Sequence, residues 1–482
     1  MKNYKLLAAF FAMALTASAA SAADIYVSLE TGKNKNEGTK EAPLKNLWKA
    51  LENAKVGDTI HVAEGNYPGK MKQGWFMMDK PVSIIGGYSK DFSERNPLTH
   101  KTMFQPVNEN NDKKGSGLGL LHLEFDKTNN APKGFKMVID GLIFDDGFAS
   151  SFHATKGKPE GLDTGMWLQG PAKNINDPFA SPERYGIYSA TASRGEGDIT
   201  IQNCTFVNIG NYGLNLNWYK GKVNVVNNVF CNTRMIGANV TCSANAPSVE
   251  WEFAKNTVLY TWSRISDLGD MGFGVRTNTG VTANIHDNII GLSVLTGFDN
   301  TKGDPKKKVT KLDGNVFFLN RGSDVQMTIS PSIAKVRVDG FEDLEGTDGI
   351  ESIEDNVDLK DPKVFEGRLN PTYLNAFLSM KYSESTKVPE NQANALRGVL
   401  GLPLQGTIKT NVEMFANRYP MEDSLKLFGV MAGKGAQLPE GCTAAAPAAT
   451  PAPAPAAAET APAPAAETTT PGEAAPAPAA AE

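Results

Sequence analysis

A short pattern repeats along the middle of this 482-residue chain and sets the strongest limit on its fold. Each copy has an apolar run, a fixed position that is usually Asn, and a second apolar run. The fixed position falls at residues 204, 228, 256, 288 and 315, in steps of 24, 28, 32 and 27 residues, and the run 138–143 fits with Gly141 at this position. Short strands that recur at such spacing predict a stacked β-solenoid with one coil per step.

The repeated position is expected to be a corner of each coil. Asn tolerates the left-handed backbone that a corner needs, and its amide can donate to the Asn one coil away to form a ladder. Cys204 takes the place of an Asn, which predicts a buried, structural cysteine. A helical solenoid would instead show a 3.6-residue periodicity, which these segments lack.

A second strand accompanies these runs, at residues 185–190, 213–217, 237–241 and 273–277. Alternation directs one set of side chains into the coil: Ile187, Leu216, Val240 and Val275. It directs another set onto an outer stripe that is polar and rich in amides: Tyr188, Asn215, Asn217, Asn239 and Arg276. The longest step, which holds residues 145–184, predicts a loop inserted at one corner.

The ends of the solenoid are expected to be covered. Apolar residues recur on one helical face at residues 44–54, so we expect a capping helix near there on a β-helix that spans 23–368. Residues 369–442 lose the ladder pattern and predict a mixed C-terminal cap. Residues 443–482 consist of Ala, Pro, Thr, Glu and one Gly, which predicts a disordered tail.

The first 22 residues predict export. Lys2 and Lys5 precede an apolar run at 6–15 and a small-residue cleavage site at 20–22, the pattern of a secretory signal peptide. No later segment reaches the roughly 18 to 20 apolar residues that a transmembrane helix needs. We therefore expect a secreted, periplasmic or cell-surface protein, and a monomer. The formal net charge of −5 argues against a basic nucleic-acid binder.

The chain has four cysteines: Cys204, Cys231, Cys242 and Cys442. In an oxidising compartment they allow three full pairings, and the sequence does not choose among them. Buried free thiols that pack as small hydrophobic groups are the alternative. No pair has zinc-finger or redox spacing, so we expect no metal bound through sulfur.

The N-terminal part carries the motifs of a known family. They include Ile25-Tyr26-Val27-Ser28, Gly57-Asp58-Thr59-Ile60, Gly86-Gly87-Tyr88 and Asp140-Gly141. In these motifs the chain resembles the right-handed parallel β-helix proteins of the pectate-lyase-like superfamily, over roughly residues 24–365. The resemblance implies an all-β, right-handed, single-stranded parallel β-helix. Its motifs mark turns and strand starts, so they carry almost no information on chemistry.

The superfamily includes polysaccharide lyases, hydrolases and surface proteins without known activity. Its lyases carry acidic ligands for Ca²⁺ and a Lys or Arg base on the outer stripe of one sheet, and the residues here do not reproduce that arrangement. Arg276 is the only charged residue of the predicted stripe and is the candidate base. A free guanidinium stays protonated, so the alternative is an arginine in solvent or paired with Asp267 and Asp270.

A glycosidase would need two carboxylates on one surface. Asp145 and Asp146 are adjacent and so point to opposite faces of a strand, unless the corner bends there. Asp146 is therefore a second catalytic candidate, and the alternative is an Asp that accepts turn hydrogen bonds. The acidic stretch 339–361 lacks the spacing of a Ca²⁺ loop and predicts a solvated face.

Sugar binding is expected from aromatic rings and amides. Trp218, Tyr219 and Trp262 are predicted in loops beside the stripe, and Trp167 lies in the 145–184 insertion. Rings of this kind stack on sugars, and Asn215, Asn217 and Asn239 would add hydrogen bonds. The alternative is that the aromatic residues pack their own loops.

Two functions fit these residues. The first is an exported, non-catalytic protein whose groove contacts polysaccharide or another cell-surface component. The second is a polysaccharide lyase or glycoside hydrolase that uses Arg276 or the 145–184 loop. We favour the first because the stripe lacks a carboxylate cluster. The sequence requires no cofactor, and the resemblance leaves Ca²⁺ as the one to test.

Overall fold

The computed structural model describes residues 22–70, 74–106, 118–125, 131–147, 184–189, 195–242, 248–262, 271–329, 331–379, 388–404 and 419–443. Three predictions therefore fall outside the described residues: the signal peptide except its last residue, most of the 145–184 loop with Trp167, and nearly all of the 443–482 tail. Asp267 and Asp270 also lie outside them.

The strands stack into three sheets, here named A, B and C. Sheet A contains Asp24–Val27, Thr59–Ala63, Ser83–Tyr88, Phe135–Asp140, Gly195–Gln202, the second half of Leu214–Val226, Val249–Ala254, Val281–His286, Val309–Asp313 and Ile350–Ser352. Sheet B contains Gly65–Tyr67, Thr102–Phe104, Ile143–Asp145, Thr205–Ile209, Val229–Arg234, Thr257–Trp262, Ile289–Ser293, Val316–Phe318 and Val357–Asp358. Sheet C contains Phe76–Met78, Gly119–Leu123, Tyr185–Ser189, the first half of Leu214–Val226, Ile236–Cys242, Phe273–Arg276, Thr296–Asn300, Ser323–Ile329 and Ser332–Val336.

From residue 185 onward the chain visits sheets C, A and B in turn, and each strand pairs in parallel with the strand one coil away. The last strand of sheet C, Ser332–Val336, is the exception and pairs antiparallel with Ser323–Ile329. This architecture is a parallel β-helix, so the predicted fold class is confirmed. Parallel strands buried on their inner faces explain the alternating apolar runs.

The Asn ladder is present and buried. Asn256 accepts hydrogen bonds at its Oδ1 from the backbone N of Asn228 (2.9 Å) and from the Asn228 Nδ2 (3.0 Å). Asn256 donates in the same way to Asn288, and the ladder continues through Asn315 to Asn356. Asn356 is a rung that the sequence pattern missed. Cys204 forms the other end, where its backbone N donates to the Asn228 Oδ1.

The left-handed residue of this corner lies one position before the ladder rung, which corrects the sequence interpretation. Seven residues at this corner have a positive φ: Gly141, Asn203, Asn227, Lys255, Asp287, Gly314 and Asp355. Asp140 pairs with Gln202, so Gly141 matches Asn203, and the predicted run at 138–143 was out of register by one residue. The rung amide thus faces the interior, and the residue before it makes the turn.

The inner core contains a column of stacked rings. Phe206 stacks on Phe144 at 4.9 Å between ring centroids and on Phe230 at 4.5 Å, with nearly parallel planes. Five glycines stand at the start of the sheet C strands beside this inner core: Gly186, Gly213, Gly237, Gly274 and Gly297. A methyl group at Gly213 would lie 2.6 Å from the Gly237 carbonyl oxygen and 2.8 Å from the Phe230 ring. Close coil spacing at this corner therefore requires glycine.

A short N-terminal helix packs against the first coils. Helix α1, Leu47–Asn53, buries Leu47, Ala50 and Leu51 in the inner core and contacts the first strands of sheet A. At the other end, Phe341 and Leu344 of the 3₁₀ helix Val338–Leu344 join the same core. Two further 3₁₀ helices span Pro305–Lys307 and Pro362–Phe365.

The described residues after 364 form a layer beside the coils, and the C-terminal cap stays a prediction. They contain helices α2 (Pro371–Ser379), α3 (Glu390–Val399) and α4 (Met421–Leu425). These residues pack along the outer face of sheet B, where apolar side chains point away from the coil: Val207, Val229, Leu259, Ile289 and Val316. Sheet B is apolar on both faces, so its outer face must also be buried against another layer of protein.

Polar contacts fix this C-terminal layer on the coils. The Asn208 side chain exchanges two hydrogen bonds with the backbone of Tyr419, at 2.7 and 3.1 Å. The backbone N of Gln437 donates to the Asn227 Oδ1 at 2.6 Å, and Lys434 forms an ion pair with Asp287 at 2.7 Å. The layer therefore contacts several successive coils.

All four cysteines are free thiols in the structure, so none of the three pairings is formed. Cys204 is fully buried, as the ladder predicted, and its Sγ lies 3.1 Å from the Gln202 carbonyl oxygen. Cys231 and Cys242 are also buried, Cys231 beneath the C-terminal layer. Within the described ranges, no helix has both the length and the apolar character needed to cross a bilayer.

Candidate functional site

The outer face of sheet C carries one polar side chain per coil, in register. We call this column the sheet C stripe, and its members pair from strand to strand in this order: His122, Tyr188, Asn215, Asn239, Arg276, Asp299 and Gln326. Neighbouring strands stand about 4.8 Å apart, so successive stripe residues are separated by one such step. The predicted outward positions of Tyr188, Asn215, Asn239 and Arg276 are confirmed.

Sequence reasoning missed His122, Asp299 and Gln326. A local signal was available for most of the column, because stripe residues follow a glycine by two positions. The pattern reads Gly-Ile-Tyr188, Gly-Leu-Asn215, Gly-Ala-Asn239, Gly-Val-Arg276 and Gly-Phe-Asp299. The glycine faces the crowded corner, the next residue points into the core, and the third points outward.

Tyrosine rings form the N-terminal part of the stripe. Tyr188 stacks on Tyr185 with ring centroids 4.4 Å apart, and Tyr212 meets Tyr185 edge-on at 5.6 Å. His122 packs edge-on against Tyr188 at 5.0 Å. All three tyrosines are half-buried, whereas His122 is buried and burial lowers its pKa. The rings offer a partly exposed aromatic surface.

Amides form the middle of the stripe. Asn239 donates from Nδ2 to the Asn215 Oδ1 at 2.8 Å. Asn215 and Asn217 are half-buried, and Asn239 is 5% exposed. Asn217 lies two residues beyond Asn215 on the same strand, so it faces the same side and pairs with Thr241. The three predicted amides are therefore brought onto one face.

Charged and amide groups form the C-terminal part. The Arg276 Nε donates to the Asp299 Oδ2, and the guanidinium also lies over the Phe273 ring at 4.3 Å. Asp299 is fully buried and accepts a second hydrogen bond from the Gln326 Nε2 at 3.0 Å. The partner of Arg276 is thus Asp299, a residue that was not considered for the stripe. An arginine that neutralises a buried carboxylate is a charge partner rather than a free base.

The predicted positions of three aromatic binding residues are wrong. Trp218 lies in a strand, is fully buried, and donates from Nε1 to the Gly197 carbonyl oxygen at 2.8 Å. Trp262 ends a sheet B strand and is fully buried against the C-terminal layer, with its Nε1 bonded to the Asn232 Oδ1 at 2.8 Å. Tyr219 lies in the strand after Trp218 and is half-buried. Neither tryptophan offers a face to a ligand, because both rings fill core space.

Asp146 lies at a buried corner near sheet B. Its carboxyl is fully buried, and its Oδ1 lies 3.3 Å from the Arg184 Nη1. Burial raises the pKa of Asp146 to about 7, although Arg184 opposes the rise. Asp145 accepts hydrogen bonds from the backbone N of Gly147 (2.8 Å), the Asn208 Nδ2 (2.9 Å) and the Gln105 Nε2 (2.8 Å). Asp145 therefore has the turn-stabilising role that was the alternative interpretation.

No metal site is found among the described residues. Across the part of the chain that the structure describes, no three His, Cys, Asp or Glu side chains converge to hold an ion. A bound Ca²⁺ therefore remains a prediction of the resemblance alone.

Comparison with known protein families gives one short match. Residues 30–86 match a family described as "Protein of unknown function (DUF1565)". Those residues contain the first turns of the coil and helix α1. The strand topology of the chain is that of a parallel β-helix. No curated protein sequence matches it.

Solved structures that resemble this β-helix are distant. A pectate lyase shares 13% identity, with 77% of this chain and 88% of that chain covered and a TM-score of 0.31. A rhamnogalacturonan lyase shares 11% identity, with 79% and 99% covered and a TM-score of 0.32. A lacto-N-biosidase from Eubacterium ramulus shares 12% identity, with 63% and 57% covered and a TM-score of 0.28. These similarities say nothing of what this chain binds.

Proposed function

We propose that this β-helix protein is exported and binds polysaccharide along the sheet C stripe without cleaving it. The observation that carries the proposal is the in-register outer column, in which one tyrosine, two asparagines and an ion pair follow one another at one-coil spacing. A regular row of donors, acceptors and rings suits an extended polymer better than a compact ligand.

Stacking would come from tyrosine rather than tryptophan. The half-buried rings of Tyr185, Tyr188 and Tyr212 lie together at one part of the stripe. Each ring has a flat apolar face and a hydroxyl group, the combination that suits a sugar ring. Asn215 and Asn217 continue the surface with amide donors and acceptors.

The two catalytic candidates have structural partners that argue against turnover. Arg276 is bound to the buried Asp299, and Asp146 is closed from solvent beside Arg184. A β-elimination needs a base that reaches a substrate proton within hydrogen-bond distance. The Asp146 carboxyl is closed from solvent and the Arg276 guanidinium is held by Asp299, which supports binding over catalysis.

The test is binding of the full-length protein to a glycan array, followed by titration of each hit. Tyr188→Ala should weaken binding by about 1 to 2 kcal/mol, because one stacking ring is lost. Tyr26→Ala is the matched control, since Tyr26 is a half-buried tyrosine on sheet A. Equal loss in both variants, or no hit on the array, would contradict the proposal.

A second measurement separates binding from cleavage. The protein is incubated with polyuronides and Ca²⁺, and the ultraviolet absorbance of unsaturated products is followed. We expect no product. Product formation that Arg276→Ala abolishes would favour the lyase alternative instead.

A further inference from the structure

A cavity of about 750 Å³ opens near the last coil, between the end of the solenoid and the start of helix α3. Its walls come from the coil and from the chain segment after it: Leu319, Asp324, Arg337, Asp339, Val357, Asp358, Lys360 and Val388 are among them. The volume lies in the range of about 300 to 1,000 Å³ that is typical of small-molecule sites. Its lining does not include any of the sheet C stripe residues.

The apolar walls would contact a carbon skeleton. Leu319 and Val388 are at most partly exposed, whereas Val357 is 48% exposed at the cavity wall. An exposed valine beside a concave surface is available to cover an apolar part of a ligand. The cavity therefore suits a molecule with both apolar and charged parts.

The charged lining is acidic once its internal pairs are taken into account. Asp324 is buried and satisfied, since it accepts from the Asn320 Nδ2 (3.1 Å) and the Val338 backbone N (3.3 Å) and lies 3.6 Å from Arg337. Arg337 also donates to the carbonyl oxygens of Asn320 and Arg321, at 2.5 and 2.9 Å. Asp324 and Arg337 therefore stabilise this wall of the cavity through contacts with each other and with the backbone.

The carboxylates of Asp358 and Asp339 are the lining groups that can pair with a ligand. Asp358 is partly buried, and its only ion pair among the described residues is to Lys360 at 3.7 Å. The Lys360 side chain is 87% exposed, so water screens that pair and a ligand can displace it. Asp339 makes neither an ion pair nor a side-chain hydrogen bond within the described ranges, and its charge raises the pKa of Asp358.

We propose that this cavity binds a small organic cation, a protonated amine on a skeleton about the size of one sugar ring, with Asp358 and Asp339 as its charge partners. The proposal goes beyond the polysaccharide stripe and does not depend on it. An amine would form charge-assisted hydrogen bonds with the two carboxylates, while Leu319, Val357 and Val388 cover its carbon atoms.

The pH dependence follows from the groups that face Asp358. Burial raises its pKa, Asp339 adds to the rise, and Lys360 and Arg337 oppose it. Burial likewise raises the pKa of Asp324, the other carboxyl of this wall. The amine needs ionised carboxylates, so binding should weaken as the pH falls through the raised pKa of Asp358.

The experiment is isothermal titration calorimetry of the full-length protein at low salt. The probes are glucosamine as the amine, N-acetylglucosamine as its neutral counterpart, and inorganic phosphate as an anion. We expect heat of binding for glucosamine only. Binding of N-acetylglucosamine at equal strength would mean a neutral sugar site, binding of phosphate would mean an anion site, and no binding of glucosamine would also overturn the proposal.

Two variants locate the site. Asp358→Asn should weaken glucosamine binding about tenfold or more, because a charge-assisted hydrogen bond is lost. Asp343→Asn is the matched control, an exposed aspartate outside the cavity lining, and should stay within about twofold. If Asp358→Asn fails to fold, Val357→Trp fills the cavity from an exposed position and should give the same loss. Unchanged binding in either cavity variant contradicts the assignment, whereas failure of the polysaccharide stripe leaves these results untouched.

Discussion

At the scale of single residues, a buried Asn column adds side-chain hydrogen bonds between coils to those of the strand backbones. Each rung satisfies a backbone N–H and a side-chain amide of its neighbour, so the polar groups of the corner are paired away from water. The Asn256 Nδ2 also donates to the Val225 carbonyl oxygen at 2.8 Å. Removal of one rung therefore leaves several buried groups without a partner.

Asn256→Ala should lower the free energy of unfolding by about 2 to 4 kcal/mol, since each orphaned buried group costs about 1 to 3 kcal/mol. Denaturant unfolding of the protein measures the change. Asn66→Ala is the control, because Asn66 is exposed and its side chain donates to the Gln105 side chain. A loss as small as that of Asn66→Ala would contradict the energetic role of the ladder.

His286 couples stability to pH. It bonds to Glu252 at 2.6 Å and to Asp287 at 2.9 Å, and these two carboxylates raise its pKa. A raised pKa means that the folded protein holds the proton more tightly than the unfolded chain. This stabilisation is complete below the ordinary histidine pKa of about 6.5 and is lost as the pH rises through the higher folded value.

The melting temperatures of the parent and His286→Gln should therefore differ most near pH 5.5 and converge towards pH 9. His122 gives the opposite expectation, because burial lowers its pKa and its stabilisation disappears as the pH falls below about 6.5. Thermal unfolding of His286→Gln and His122→Gln across pH 5.5 to 9 checks the two signs. Parallel curves for the two variants would show that neither histidine acts as described.

At the scale of elements, the start of each sheet C strand is set by packing against the inner core. Gly213 lies against the Phe230 ring and the Gly237 carbonyl oxygen, where a side chain has no space. The glycine brings successive coils close enough for the stripe residues to stand in register. The small size of glycine at this corner therefore contributes both to the spacing of the strands and to the alignment of the stripe residues.

Gly213→Ala should destabilise the protein by about 1 to 3 kcal/mol, the usual cost of overpacking. Gly398→Ala is the matched control, because Gly398 lies in helix α3 and a methyl group there meets only Leu404 at 3.8 Å. Alanine in a helix interior should leave stability equal or raise it by about 0.5 to 1 kcal/mol. Chemical denaturation compares the two, and equal effects would remove the packing explanation.

At the scale of the whole molecule, one sheet is covered by protein and another carries the candidate binding face. The C-terminal layer buries the outer side of sheet B with residues such as Phe365, Tyr373 and Phe428. The sheet C stripe keeps half-buried tyrosines and amides. The covered outer face of sheet B is not available for the proposed polysaccharide contact, which lies on sheet C.

A chain that ends at Val364 should therefore expose Val207, Val229, Leu259, Ile289 and Val316. Burial of each such side chain contributes about 1.5 to 3 kcal/mol, so we expect strong binding of a hydrophobic dye and aggregation. Light scattering and dye fluorescence measure both. A chain that ends at Thr443 is the control, and a monomeric, dye-silent Val364 truncation would show that the layer is dispensable.

The sequence by itself determined the coil, because the spacing of Asn228, Asn256 and Asn288 and the two-residue alternation around them depend only on local backbone geometry. The same alternation correctly placed Tyr188, Asn215 and Arg276 on an outer face. Only the tertiary structure decided which groups meet across coils or between the coil and the C-terminal layer. Arg276 pairs with Asp299, 23 residues away, and Trp262 is buried by a segment more than 100 residues later. Loop lengths vary between coils, so these contacts depend on the alignment of neighbouring coils, which is fixed only when the solenoid has folded.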